Sequence, residues 1–241
     1  MRNFGNCFMK KIKKLLAYFT GTEWSLWGAS VRLIVLSFFL FDRVNYPTML
    51  LSLLGATALI FCAKGNPIGQ ALLIFFGIFY ALISYQCAYY GEMITYAGMS
   101  VPMAAIALVS WLKNPFKGNK AEVKINRLSG KEWGFACLLT AAVTFVFYFI
   151  LKAFHTANLI PSTVSVTTSF LAVYLTFRRS PYYALAYAAN DVVLIVLWIL
   201  AAMEDISYLS VVICFIAFLF NDIYGYLNWR KMAKRQTAQN A

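Results

Sequence analysis

An amide and a carboxylate stand side by side inside two apolar runs of the sequence. Asn190 and Asp191 lie in the middle of ALAYAANDVVLIVLW, and Asn221 and Asp222 lie within FLFNDIYGYLNW. Removing such side chains from water costs free energy, so they usually line a cavity or meet a partner. Amides pair with carboxamides and hydroxyls, while carboxylates attract cations. The pattern therefore predicts a binding site for a small polar or cationic molecule.

Helical spacing brings further polar and aromatic side chains toward these pairs. In a helix, Tyr187, Asn190, Asp191, Leu194 and Trp198 share one face, which carries a phenol, an amide, a carboxylate and an indole. Other apolar runs contribute a tyrosine, a glutamine and hydroxyl groups. We expect a ligand to contact Asn190, Asp191, Gln86, Trp198, Tyr80, Tyr187, Asn221, Asp222 and Thr168.

The composition indicates that these runs lie in a membrane. Hydrophobic residues fill 61% of the 241 positions and charged residues only 12%, against roughly 25% charged residues in a soluble domain. About 20 apolar residues in a helix cross the hydrocarbon core. We therefore expect an all-α integral membrane protein with eight transmembrane helices. Their predicted ranges are 24–42, 46–64, 67–89, 92–112, 132–153, 158–177, 182–203 and 206–228.

The basic residues are distributed unevenly along this helix map. On one side of the predicted helices lie 18 of the 21 Lys and Arg residues. Under the positive-inside rule that side is the cytoplasm, so both termini are expected to be cytoplasmic. The positive charge thus reports topology, and no nucleic-acid partner is expected. Five tryptophans are expected in interfacial belts because they lie at predicted helix ends: Trp24, Trp27, Trp111, Trp133 and Trp229.

Catalytic and metal chemistry find little support in the sequence. The five cysteines are scattered without metal-ligand spacing, and no Gly-rich phosphate loop is present. The single histidine, His155, has no recognisable nucleophile beside it. We expect neither an enzyme nor a bound cofactor or metal.

Several of the expected ligand contacts also have structural interpretations. Hydroxyl groups in membrane helices commonly bond a backbone carbonyl, which is the alternative for Ser165, Thr168 and Ser169. Arg32 is an alternative ion-pair partner for the buried aspartates, and Arg178 or Arg179 is another for Asp222.

Proline spacing predicts an internal repeat. Pro47 and Pro67 are 20 residues apart, as are Pro161 and Pro181, and the two pairs are offset by 114 residues. Both units end in a tryptophan followed closely by a basic residue. A three-helix unit that starts outside ends inside, so a second copy in the same orientation needs one crossing between them. This gives a 3+1+3 parallel-repeat core with an additional N-terminal helix, the SWEET-like arrangement.

The predicted organisation follows from this repeat. We expect a cytoplasmic amphipathic segment at 1–23, in which Phe4, Phe8, Ile12, Leu15, Leu16 and Phe19 oppose the lysines. The remaining divisions are an extra helix at 24–42, a first repeat at 46–112, a solvated basic cytoplasmic loop at 113–131, a linker helix at 132–153, a second repeat at 158–229 and a cytoplasmic tail at 230–241.

Three segments resemble a known family. YLTFRRSPYYALAYAANDVVLIVLW, FLFNDIYGYLNWRKM and SWLKNPFKGN are similar to the PnuC family of bacterial nicotinamide riboside transporters, over roughly residues 24–232. The resemblance implies a multi-pass protein of the bacterial inner membrane with the 3+1+3 arrangement. It also implies uptake of nicotinamide riboside by facilitated diffusion, for NAD biosynthesis, with a cytoplasmic riboside kinase trapping the vitamin by phosphorylation.

The residues agree with this substrate and leave a second one open. Aromatic faces attract a pyridinium cation, amides pair with its carboxamide and ribose, and the aspartates offset its charge. Thiamine, or another vitamin or nucleoside, would suit similar residues. A phosphorylated ligand is disfavoured because the predicted midplane has no cluster of Lys or Arg. We also expect a homo-oligomer, whose stoichiometry the exposed apolar helix faces do not specify.

Overall fold

The structure is a bundle of helices with a short β-hairpin between two of them. The computed structural model describes residues 17–86, 90–156 and 158–239, without the side chains at 84, 86 and 90–92. Its helices are α1 Gly21–Ser37, α2 Tyr46–Ala63, α3 Pro67–Gln86, α4 Tyr90–Thr95, α5 Val101–Lys113, α6 Gly130–Ala153, α7 Leu159–Phe177, α8 Tyr183–Ala202 and α9 Leu209–Ala238. Strands β1 Pro115–Phe116 and β2 Asn119–Val123 form an antiparallel hairpin between α5 and α6.

Most of these helices match the length of a bilayer crossing. In the described part of the chain, seven helices are long and apolar enough to span a membrane, and the apolar portion of α3, Pro67–Ile83, is shorter. Outward-facing side chains such as Leu138 and Phe145 are 70% and 67% exposed, as expected for contact with lipid. The prediction of a multi-pass α-helical protein is confirmed.

Local signals set the helix boundaries. Thr20 caps α1 and Ser129 caps α6, and each hydroxyl accepts the amide of a glutamate three residues later, whose carboxylate bonds back to the cap. Such capping boxes satisfy amides that the first helical turn leaves unpaired. Consequently α1 begins at Gly21 and α6 at Gly130, a few residues before the predicted starts. The predicted segment at 1–23 lies mostly outside the described residues.

The fourth predicted helix, 92–112, is not a continuous α-helix. It divides into α4, a π-helical turn at Tyr96–Ser100, and α5. Pro102 lies in the first turn of α5 and cannot donate a backbone hydrogen bond, which favours such an interruption. Gly77 lets the helices approach closely here, because a Cβ on it would lie 2.6 Å from a Val101 methyl.

Six crossings form a closed ring of helices. Around the ring, α2 packs on α3, α3 on α5, α5 on α7, α7 on α8, α8 on α9, and α9 on α2. Helix α1 packs against α2 and α9, while α6 packs against α7. The polar residues singled out in the sequence lie on the ring helices α3, α7, α8 and α9.

Most of the basic residues in the described part of the chain lie at one end of the bundle, which we call the basic end. It is formed by residues 64–66, 113–131, 178–181 and 230–239. The basic side chains of 113–131 are exposed, as expected for a solvated loop, but part of the segment is docked on the bundle. Val123 is fully buried, and Gln236 is only 4% exposed where it bonds to this segment. Helix α9 also continues to Ala238, beyond the predicted end at 228, so the expected tail is largely helical.

Candidate functional site

The side chain of Asn190 is held by three hydroxyl groups of α7. Its Oδ1 lies 2.8 Å from Thr168 Oγ1, 3.0 Å from Ser169 Oγ and 3.3 Å from Ser165 Oγ. A carbonyl oxygen has two lone pairs, so three hydroxyls are more than it needs. These hydroxyls therefore orient Asn190. Thr168 Oγ1 also lies 3.1 Å from the backbone carbonyls of Val164 and Ser165, as the alternative interpretation predicts.

The other end of this amide remains available. Asn190 is 6% exposed, and no hydrogen bond from its Nδ2 joins any residue that the structure describes. An NH₂ group carries two donors. The amide is consequently fixed in orientation while its donor end can still bind an acceptor.

Asp191 and Asp222 form the second polar element, one on α8 and one on α9. Both are 4% exposed, and their carboxyl groups interact with each other. Within the described ranges, Asp191 Oδ2 has no hydrogen-bond partner. A buried carboxylate without a cation is costly, so a cationic ligand would supply a partner that the protein leaves out.

The structure gives no support to arginine as that partner. Among the described residues, Arg178 pairs with Glu132, and the other salt bridges join Lys64 to Glu23 and Arg235 to Glu122. Arg32 is exposed on α1. The structural ion pair considered for Asp191 and Asp222 is therefore absent from the described part of the chain.

Aromatic rings approach the same region from the other half of the ring. Tyr80 lies 4.4 Å from Tyr96 and 5.7 Å from Phe76 between ring centroids. Tyr96 is near enough to Tyr187 for the two phenols to interact electrostatically, and Tyr187 lies one helical turn before Asn190. Sequence reasoning missed Tyr96, whose position depends on the π-helical turn that Pro102 could have indicated.

Three other predicted contacts lie elsewhere or cannot be placed. Trp198 contacts Tyr208 with ring centroids 5.4 Å apart, and it packs in the cluster around Ile34 and Cys214 instead of beside Asn190. Asn221 donates to Ser30 on α1 over 2.8 Å and is 1% exposed, which favours a structural role. The side chain of Gln86 lies outside the described residues.

Two tryptophans close the basic end of the ring. Trp111 and Trp229 are fully buried, with their ring centroids 5.3 Å apart. Trp111 Nε1 donates to the carbonyl of Thr176, and Trp229 Nε1 donates to that of Cys62, over 2.9 and 2.8 Å. Their assignment to an interfacial belt is therefore wrong, because neither ring is exposed to a lipid headgroup region.

Comparison with known proteins identifies the family of this chain. A family model described as nicotinamide mononucleotide transporter matches residues 45–231. The chain belongs to this family. Two relatives are named nicotinamide riboside transporter PnuC, so the family resemblance seen in the sequence is confirmed. Together with the apolar helices, membership of the PnuC family indicates a multi-pass protein of the inner membrane.

The relatives match most of the chain at modest identity. The protein from Neisseria mucosa is 26% identical over 223 residues, which cover 90% of this chain and 82% of the relative. The protein from Haemophilus influenzae is 25% identical over 197 residues, covering 80% and 84%. A crystal structure described as the vitamin B3 transporter PnuC aligns with a TM-score of 0.76 at 22% identity, over 90% of this chain and 94% of that one. That likeness shows the fold.

Proposed function

We propose that this chain takes up nicotinamide riboside through the ring of six helices. The observation that carries this proposal is the Asn190 amide, which three α7 hydroxyls orient and whose donor end stays free. A ribose or carboxamide oxygen can accept from it. Tyr80, Tyr96 and Tyr187 offer aromatic faces to the pyridinium ring, and Asp191 with Asp222 attracts its charge. PnuC relatives named for the same riboside support this assignment.

The unphosphorylated riboside suits these residues better than the mononucleotide named in the family description. Among the described side chains around Asn190 and Asp191 we find hydroxyls, phenols and carboxyls, and no Lys or Arg. A phosphate would bring two negative charges toward the aspartates without a basic residue to receive them. Thiamine remains a second candidate because it is also a ring-bearing cation without phosphate.

We further infer that the ring consists of two three-helix units in parallel repeat. The units are residues 46–112 and 158–229, joined by the linker helix at 132–153 and preceded by the extra helix at 24–42, in eight crossings. Two reverse turns support this division. The amide of Asn66 bonds the carbonyl of Phe61, and 114 residues later the amide of Ser180 bonds that of Leu175, over 3.0 and 2.9 Å.

We place the basic end in the cytoplasm, with both termini on that side. The support is the positive-inside distribution of Lys and Arg, now gathered at one end of the folded bundle. Transport then proceeds by rocking of the two units about the bound riboside, without a coupled ion or ATP, and a cytoplasmic riboside kinase retains the product. We expect no chemical conversion by this chain, and assembly as a homo-oligomer.

Uptake by reconstituted protein tests the proposal. Proteoliposomes containing the wild-type chain should equilibrate labelled nicotinamide riboside across the bilayer and stop at the outside concentration. Enclosing a riboside kinase with ATP should then convert equilibration into accumulation. Accumulation without kinase would overturn the uncoupled mechanism, and absence of riboside movement by folded protein would overturn the substrate assignment.

A further inference from the structure

The segment at 114–128 crosses the basic end and touches both reverse turns of the ring. The amide of Val123 donates to the carbonyl of Gly65 in the α2–α3 turn over 2.9 Å. The amide of Asn126 donates to the carbonyl of Arg179 in the α7–α8 turn over 3.0 Å. Gly65 and Arg179 are 114 residues apart, and both have positive φ, at 67° and 57°. The segment therefore bonds the same position of two matching turns.

The Val123 side of this segment is firmly held. The Val123 side chain is fully buried in the cluster that contains Trp111, Trp229 and Met232. A Cβ on Gly65 would lie 3.2 Å from a Val123 methyl, so the valine rests directly on the turn. This packing closes the ring above the two tryptophans.

Helix α9 fixes the same side through a buried amide. Gln236 accepts from the Ile125 amide over 2.9 Å and donates to the Val123 carbonyl over 3.0 Å, as a neighbouring strand would. It also donates to Glu122 over 2.8 Å, and Glu122 pairs with Arg235. The segment from Glu122 to Ile125 is thus attached to α9 as well as to Gly65.

The Asn126 side makes fewer hydrogen bonds, while its apolar attachment is Leu128, which packs against the clusters around Trp111 and Phe170. Beyond its amide bond to Arg179, the next residue, Arg127, reaches Thr237 only over 3.4 Å at an exposed position. Arg179 adopts a left-handed conformation that a non-glycine residue rarely takes, and this costs on the order of 1 kcal/mol. Its Nε is buried without a partner among the described residues. The backbone bond to Arg179 therefore has fewer supporting hydrogen bonds than the bond to Gly65.

Chain length limits how far the two turns can separate while both contacts hold. Only three residues of chain join Val123 to Asn126, and an extended chain spans at most about 3.5 Å per residue, or roughly 10 Å here. Rocking of the two units at the basic end moves one turn relative to the other. A large opening is consequently incompatible with both hydrogen bonds.

We propose that residues 114–128 are a latch that pivots at Val123 and Gln236 and must release Arg179 before the basic end can open. This inference deepens the proposed transport function and rests on its rocking motion. The latch sets access to the ring interior from that end. A covalent link between Asn126 and Arg179 should therefore stop transport. A covalent link on the side of Val123 and Gln236 should not.

Reversible disulfides test the two sides separately. A backbone hydrogen bond brings two Cα atoms within disulfide range, about 5 to 6 Å. Asn126→Cys with Arg179→Cys, in a background with the native cysteines replaced, should lose at least nine-tenths of riboside uptake on oxidation and regain it with reductant. Joining Glu122→Cys to Arg235→Cys through a short bifunctional maleimide is the matched control, because it fastens the side of Val123 and keeps Gln236 in place. Its uptake should change less than twofold. Equal uptake by the oxidised and reduced Asn126–Arg179 pair would overturn the latch.

A second measurement is independent of the substrate. Cys62 is 1% exposed beneath the latch, and its thiol can report opening in detergent once the other cysteines are replaced. Asn126→Pro removes the donor to Arg179, whereas Asn126→Ala keeps it. The proline variant should be modified by a maleimide at least threefold faster than the alanine variant, at equal melting temperature within 2 °C. Equal rates would overturn the latch, while failure of riboside transport in the unmodified chain would overturn the proposed function alone.

Discussion

Trp111 and Trp229 make equivalent hydrogen bonds, each to a backbone carbonyl of the neighbouring helix in the ring. Trp111, at the end of α5, bonds the carbonyl of Thr176 near the end of α7, and Trp229 of α9 bonds that of Cys62 near the end of α2. Thr176 and Cys62 are 114 residues apart, which is the offset between the proline pairs in the sequence. The two indoles also contact each other. The closure of the basic end is therefore built from two tryptophans, one in each of the proposed repeat units.

Removing either indole donor should destabilise the protein. Trp111→Phe or Trp229→Phe removes one buried hydrogen bond, worth about 0.5 to 1.5 kcal/mol. Each carbonyl keeps its bond from a turn amide, Arg179 for Thr176 and Gly65 for Cys62. Trp133→Phe is the matched control, because its indole makes no hydrogen bond to a described residue. Thermal unfolding in detergent should show lower midpoints for both test variants than for the control. A drop no larger than that of Trp133→Phe would contradict the assigned role of these bonds.

Binding should depend on the donor end of Asn190 more than on its shape. Asn190→Asp keeps an oxygen for the three α7 hydroxyls and replaces the NH₂ donor with a second acceptor. We expect nicotinamide riboside affinity to fall at least tenfold by calorimetry while the folded protein is retained. Asn158→Asp, at an exposed position without a side-chain cap bond, should bind as wild type. Unchanged binding by Asn190→Asp would remove Asn190 from the site.

The carboxyl pair should distinguish charged from neutral ligands. Asp191→Asn removes the group that a cation would meet, so affinity for the cationic riboside should fall about tenfold or more. Affinity for the uncharged dihydro form should change less than threefold. Asp205→Asn is the control, since Asp205 caps an exposed turn through Ser207. Equal losses for both ligands would indicate that Asp191 supports the fold instead of the charge of the substrate.

A buried ion pair should attach α1 to the ring. Glu23, with its side chain 2% exposed, binds Lys64 over 2.9 Å and accepts from Tyr224 over 3.1 Å. Lys64→Met leaves the carboxylate buried without its cation and should lower stability by about 3 kcal/mol. Adding Glu23→Gln should restore part of that loss in a double-mutant cycle measured by unfolding. Additive losses in the double variant would contradict a direct coupling.

The multi-pass α-helical architecture could be predicted from the sequence because a bilayer imposes a length and an apolar composition on every crossing. The paired prolines and the tryptophans at the helix ends predicted an internal repeat, and the tryptophans Trp111 and Trp229 do meet at the basic end. The sequence could not show that Trp111 and Trp229 are buried there. A tryptophan at a helix end suits either lipid headgroups or a packed closure, and only tertiary contacts decide between them.

The polar contacts of the candidate site were predictable where two helices alone define them. Asn190 and Asp191 were identified because polar groups in an apolar run need partners, and α7 supplies hydroxyls to one while α9 supplies a carboxyl to the other. Trp198 was misplaced because helical spacing fixes a face but not which neighbour covers it along its length. The contact of Tyr96 with Tyr80 depends on a π-helical turn, which has no apolar periodicity of its own. The docking of residues 114–128 could not be predicted, because the spacing of lysines in this segment is also typical of a solvated loop.

Calorimetric titration of the purified wild-type chain tests the central claim most directly. Nicotinamide riboside, nicotinamide mononucleotide and thiamine would be titrated in turn into folded protein, with Asn190→Asp as the negative control. We predict saturable binding of the riboside that is at least a hundredfold tighter than that of its phosphorylated form and is weakened by the variant. Tighter binding of the mononucleotide, or binding of thiamine alone, would contradict the proposed substrate.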